Sequence, residues 1–349
     1  MGETGLNQVR AENKSKSQNG NSSSSVATAR QPVRGTRAVS ATILVTLLAL
    51  SAFAGESHAR EVYFIDVHSQ VDRQVDSQTV VALLNQGGVR ETILSSTGNA
   101  SQDKVLDLAR RNPAQIIAAV RTKGYMTTTP PDRYRQTVDA QVRSGAYGAM
   151  AEVLVYHAAK AAEGGRVNFP EVSVEPDDPR VLFALDLAIR NRWPFIIHIE
   201  FAALPTAQRT VFMTKFEALL AKYPDEPFAL IHMGQLDASE VGRLIAAHPN
   251  VCFIASTSNP ITANRGNQPW TNMFAGRRLA AEWKALLVGH PDRFLLAFDN
   301  VVAPSWGQQY LGQIALWRGA LADLPDDVAD SFAHGNAERL WHLPRRTAP

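Results

Sequence analysis

From residue 62 onward, short runs of consecutive apolar residues alternate with longer segments whose apolar positions recur every three or four residues. The short runs are 62–66, 91–95, 115–120, 149–155, 195–200, 228–232, 251–255 and 294–299. Between and after them, 78–85, 102–111, 132–143, 179–191, 208–222, 238–247, 272–287 and 308–324 have the spacing of helices that bury one face. Strands apolar on consecutive residues suit a parallel sheet covered on both sides. Eight strand-then-helix repeats predict an α/β protein with a closed (β/α)8 TIM barrel. A doubly wound open sheet would place a glycine-rich phosphate loop after the first strand, and none follows Asp66.

The chain before residue 60 reads differently. Residues 1–37 are rich in Ser, Asn and Gln with scattered Arg and Lys, a composition that predicts disorder. They lead into the uncharged run ATILVTLLALSAFAG (41–55), preceded by Arg30, Arg34 and Arg37 and followed by Ser57-His58-Ala59, the pattern of a cleavable signal peptide. The run is shorter than the roughly 20 residues that cross a bilayer. The expectation is export to the periplasm or the medium, with cleavage after Ala54 or Ala59 and no stable membrane span afterwards. A start nearer Val33 would give the signal peptide a more ordinary charged segment. The division is then a leader over 1–59 and one barrel over 60–349.

Removing the leader changes the charge argument. The whole chain has a pI of about 8.7, but residues 1–59 hold 6 of the 35 Lys and Arg and 3 of the 33 Asp and Glu. The remainder carries 29 against 30. Such a domain has no basic field for a phosphate backbone, so nucleic acid is not an expected partner and a small molecule is. The oligomeric state stays open. The single Cys252 forms no internal disulfide and falls in an apolar run, as inert core.

In this architecture active sites form where strands end at the barrel mouth. Five of the eight runs carry metal-ligand residue types: Asp66-Val67-His68-Ser69-Gln70 follows the first, Glu152 lies in the fourth, His198 and Glu200 close the fifth, His232 the sixth and Asp299 the eighth. A lone histidine at a strand end is more often a structural residue, and a lone Asp more often a helix cap. Three imidazoles and a carboxylate converging on one axis are instead the donor set for Zn²⁺ or a similar divalent ion. Glu200 is expected to face away from His198 or to cap the following helix. Arg121 and Tyr125, beyond the third strand, and Arg265 and Trp270, in the long loop after the seventh, stand where substrate contacts form. His157 falls in a loop and is left outside the site.

The segments FIDVHSQ, AMAEVL, PFIIHIEF, FALIHMGQL, RFLLAFDN and FAHGNAERLWHL, in this order, resemble the metal-dependent amidohydrolase superfamily, in particular its amidohydrolase-related (amidohydrolase 2) branch. That resemblance implies His68, His198, His232 and Asp299 as metal ligands, with Asp299 also the proton carrier. The second histidine of the first-strand pair is Gln70 here, a neutral and weaker donor. Glu152 is then either a compensating ligand or an acceptor that orients a histidine. Some relatives bridge two metals with a carboxylated lysine in the fourth strand; that run has none, so one divalent ion, zinc first, is expected. The implied reaction is attack by metal-activated water on an amide, lactone or ester. Non-oxidative decarboxylation in the same pocket is the alternative, as is a non-catalytic ligand-binding barrel whose metal site has decayed.

Overall fold

The computed structural model describes residues 62–126, 129–161, 167–263 and 267–345, which belong to one compact unit, Ser57–Pro349. The leader, its apolar run and Arg265 lie outside the described residues. No helix among the described residues is long and apolar enough to cross a membrane.

The barrel strands are Phe64–Val71, Val89–Ser96, Ile116–Val120, a fourth in two parts (Ala149–Met150 and Val153–His157), Phe195–Ile199, Phe228–Ile231, Val251–Ile254 and Phe294–Leu295. Each pairs in parallel with the next. The break in the fourth, at Ala151 and Glu152, marks where it leaves the third strand and joins the fifth. The eighth closes on the first: Val67 N–H donates to Leu296 O (3.1 Å) and Asp299 N–H to His68 O (3.0 Å). The fold is the expected (β/α)8 barrel. Several helices start where sequence chemistry says they should, with the Asp76, Asp178 and Asp237 side chains accepting first-turn N–H groups and Pro179 opening its helix.

Alternation sorts the strand residues into two layers. Phe195, Ile197, Phe228, Leu230, Val251 and Phe253 pack outward against the helices, while Ile196, Ala229, Ile231, Cys252 and Ile254 fill the interior. Ala337, Leu340 and Trp341 of the last helical segment join that interior layer together with Tyr63, which precedes the first strand, so they close the N-terminal floor.

Some expected elements differ. The helix over 272–287 is an antiparallel hairpin, Phe274–Ala275 with Arg278–Leu279, followed by helix Ala281–Gly289. Gly276, at φ +66°, makes the turn, and Phe274 N–H is taken by the Asn272 side chain instead of a helical carbonyl. The eighth strand ends at Leu295, because Phe298 N–H turns to the Asp66 carboxylate and Asp299 adopts φ +48°. The first strand runs on to Val71, through His68 and Gln70. After the fourth strand the chain adds antiparallel segments, Lys160–Ala161 with Val167–Phe169 and then Val172–Ser173 back on Val153–His157.

Candidate metal centre

His68 and Gln70 face the barrel axis because the first strand carries a bulge. Its pairing with the second strand goes from Asp66↔Thr92 to Ser69↔Leu94, one residue extra on the first strand. The Asp66 carboxylate holds that bulge, accepting from Ser69 Oγ (2.6 Å), His68 N–H (3.3 Å) and Phe298 N–H (3.1 Å). Burial raises the Asp66 carboxyl to about 6 against these hydrogen bonds.

Glu152 sits at the centre. Its Oε2 lies 2.6 Å from His198 Nδ1, and its Oε1 accepts from Lys123 Nζ (2.8 Å) and Gln70 Nε2 (3.1 Å). His68 Nε2 is 3.6 Å from Glu152 Oε1 and 3.6 Å from Asp299 Oδ1. Gln70 Nε2 also lies 3.2 Å from His68 Nε2 and 3.4 Å from Asp299 Oδ1. His198 and His232 meet edge to face with centroids 4.9 Å apart, and His232 Nε2 is 3.7 Å from Asp299 Oδ2. All the ligand candidates read from sequence are thus gathered in one place. His68, Gln70, Glu152 and His198 are at most 1% exposed, while the Asp299 carboxylate keeps 15%.

The two histidines at the fifth and sixth strand ends are held alike, one nitrogen outward and one inward. His198 Nε2 faces Glu200 Oε1 at 3.0 Å, and His232 Nδ1 faces Ser256 Oγ at 2.9 Å. That leaves His198 Nδ1 and His232 Nε2 toward Glu152 and Asp299, an arrangement in which outer partners orient both rings. Glu152, His198 and His232 each offer a ligand atom within 4.8 Å of the others. Two imidazoles and a carboxylate at this separation fit one divalent ion. Glu200 is therefore on the same side as His198, not opposite it, since residues two apart in a strand share a face; it caps no helix with its side chain.

The electrostatics follow from burial and proximity. Burial pushes the Glu152 carboxyl up, but Lys123, His198 and His68 outweigh it and hold it well below the ordinary range. Burial pulls the Lys123 ammonium toward neutrality, and Glu152 and Asp299 raise it again. Asp299 is raised, chiefly by burial. His232 is pushed well down by burial and by His198, leaving a neutral imidazole.

Three residues not expected in the site are part of it. Lys123, three positions past the third strand, reaches Glu152; Lys160 Nζ binds Glu200 Oε1 at 2.8 Å and lies 4.4 Å from the Trp270 ring; His157 stands 5.3 Å from His198, ring to ring. His157, His198 and Glu200 form a second potential ligand group. The only sequence cue for them is placement just beyond the ends of apolar runs, because an isolated polar residue there has no periodicity to betray it. Of the expected substrate contacts, Trp270 lies over His232 with centroids 5.0 Å apart. Arg121 instead donates to Gly98 O, Ala100 O and Lys123 O and stacks on Tyr125, so this pair fastens the loop that carries Lys123.

The same fold occurs in an uncharacterized TIM-barrel protein from Bordetella bronchiseptica (15% identity, 81% of this chain and 99% of that one, TM-score 0.51). It recurs in 4-oxalomesaconate hydratase from Rhodopseudomonas palustris (12% identity, 80% and 96%, TM-score 0.52). No curated protein matches the chain by sequence. The amidohydrolase family pattern matches residues 65–343, the whole barrel with every strand-end ligand candidate in it, and the chain belongs to that family.

Proposed function

We propose that this member of a family of metal-dependent, hydrolase-type enzymes holds one divalent cation, zinc first, between Glu152, His198 and His232, and hydrolyses an amide, lactone or ester bond of a small molecule. The observation that carries the reading is the set of three ligand atoms within 4.8 Å, with the Asp299 carboxylate 3.7 Å from His232 Nε2. A divalent ion at such a position supplies activation of water and polarisation of a carbonyl.

The protein's own groups do the rest. Asp299 is the carboxylate of the cluster whose side chain reaches solvent, and burial raises its proton affinity. It takes the proton of the attacking water and returns it to the leaving group. Glu200 and Ser256 orient the His198 and His232 rings, and Trp270 forms an apolar wall beside His232. His68 Nε2 stands 3.6 Å from both Glu152 Oε1 and Asp299 Oδ1. Export, with removal of the chain up to Ala54 or Ala59, belongs to the same reading, and N-terminal sequencing of the mature protein tests it.

Purified protein is expected to contain metal, to lose activity on a panel of chromogenic esters, lactones and anilides when chelated, and to regain it with zinc. Asp299→Asn should retain the metal and lose at least about 100-fold in kcat. Full activity in that variant would remove Asp299 from the mechanism, and release of CO2 in place of hydrolysis products would point to decarboxylation.

A further inference from the structure

The half of the cluster facing the first strand is chemically unlike the half facing His232. Around His68 Nε2, Glu152 Oε1 and Asp299 Oδ1 stand N–H donors: the Gln70 amide nitrogen, at 3.2, 3.1 and 3.4 Å from those atoms, and the Lys123 ammonium, 2.8 Å from Glu152 Oε1. Neither nitrogen has an electron pair to give to a metal. Gln70 Oε1, the one atom of that amide able to ligate a cation, is buried without a hydrogen-bond partner.

The charge count points the same way. Three carboxylates, Glu152, Asp299 and Glu200, face two ammoniums, Lys123 and Lys160. One divalent ion leaves a single positive charge to be shared with solvent and substrate. Two would leave three in a pocket whose walls are almost wholly buried, where unpaired charge is costly.

We infer that the Lys123 ammonium, backed by the Gln70 amide, takes the place of a second cation between His68, Glu152 and Asp299, so that the centre accepts one divalent ion and excludes another. Gln70 and Lys123 then form a matched pair: the first-strand amide donates where a ligand would accept, and the third-strand loop provides a fixed positive charge. Arg121 serves that pair by fastening the loop, its guanidinium bound to Lys123 O and Gly98 O. This rests on the proposed single-ion function and adds what limits it to one.

The test is metal stoichiometry, measured by mass spectrometry on the full chain incubated with zinc and desalted, with no activity assay. Wild type should retain one zinc per chain. Lys123→Met should retain a second, or bind zinc at least tenfold more tightly, and Lys123→Arg, which keeps the charge, should behave as wild type. Lys123→Gln, uncharged but able to hydrogen-bond, is read beside Lys123→Met, with circular dichroism to confirm folding. Two zinc ions in wild type overturn the inference whether or not any variant folds. One zinc in every chain, with unchanged affinity, overturns it while leaving the proposed function standing. Zinc bound by none of them overturns both.

Discussion

His232 has φ +56°, Met233 +55°, Gly234 +64° and Gln235 +55°, so the turn that ends the sixth strand keeps three residues with side chains in the left-handed region. Such conformations are costly and persist where surrounding contacts over-determine them; here they turn His232 toward Glu152. Gly234 is the position with no slack, since an added Cβ would lie 2.6 Å from Leu230 Cδ2. Gly234→Ala should therefore destabilise the protein by about 2 kcal/mol, read by urea unfolding, and loosen zinc binding through His232; an unchanged midpoint would show that the turn can relax. The sequence shows His232 as a polar residue closing an apolar run, which is why it was legible, but not the strained backbone that aims it. Lys123 was illegible for a different reason: its partner Glu152 is 29 positions away, at the break in the fourth strand. Gln70 was visible as a departure from the His-x-His pattern, while Lys123, which meets the same Glu152 oxygen, lay in a loop without periodicity.

At the scale of elements, the bulge in the first strand decides whether His68 and Gln70 reach the axis. Asp66 organises it with hydrogen bonds to the bulged residues His68 and Ser69 and to Phe298 beyond the eighth strand. Asp66→Ala leaves these buried donors without an acceptor, so a loss of about 3 kcal/mol is expected in urea unfolding, together with at least tenfold weaker zinc binding. Retained zinc affinity would show that the bulge is held by backbone pairing alone. Existence and order of the eight strands were legible because consecutive apolar residues identify doubly covered strands. Their ends were not: the first runs past Asp66 and the eighth stops at Leu295, because side-chain acceptors, not apolar content, set those limits. The hairpin at Phe274–Leu279 was missed because its spacing of apolar residues, Met273, Phe274, Leu279 and Trp283, also fits a helix, and only Gly276 hints at the turn.

At the scale of the whole molecule, the two ends of the barrel have opposite tasks. At the floor, a cavity of about 770 Å³ is lined by Arg192, Lys222, Asp225, Glu226 and Arg339, and burial lifts the Glu226 carboxyl from 4.5 to about 7, with Oε1 unpartnered. The folded state then binds this proton more tightly than the unfolded chain, so the stability present below pH 4.5 is lost as pH rises through 7. Partial contact with solvent reduces the effect to on the order of 1 kcal/mol. Glu226→Gln should thus gain about 2 °C in Tm over wild type at pH 8 relative to pH 4, by calorimetry; an equal difference at both pH values would mean that the carboxyl is not perturbed. At the same floor, Ala337, Leu340 and Trp341 plug the interior, which makes the barrel a blind well. Under the proposed hydrolysis, substrate and products would share the end of the barrel opposite that floor, where Trp270 and Lys160 stand, so a product that lingered there would block the next substrate. Turnover would then depend on how fast the rim clears as well as on bond cleavage at the bottom.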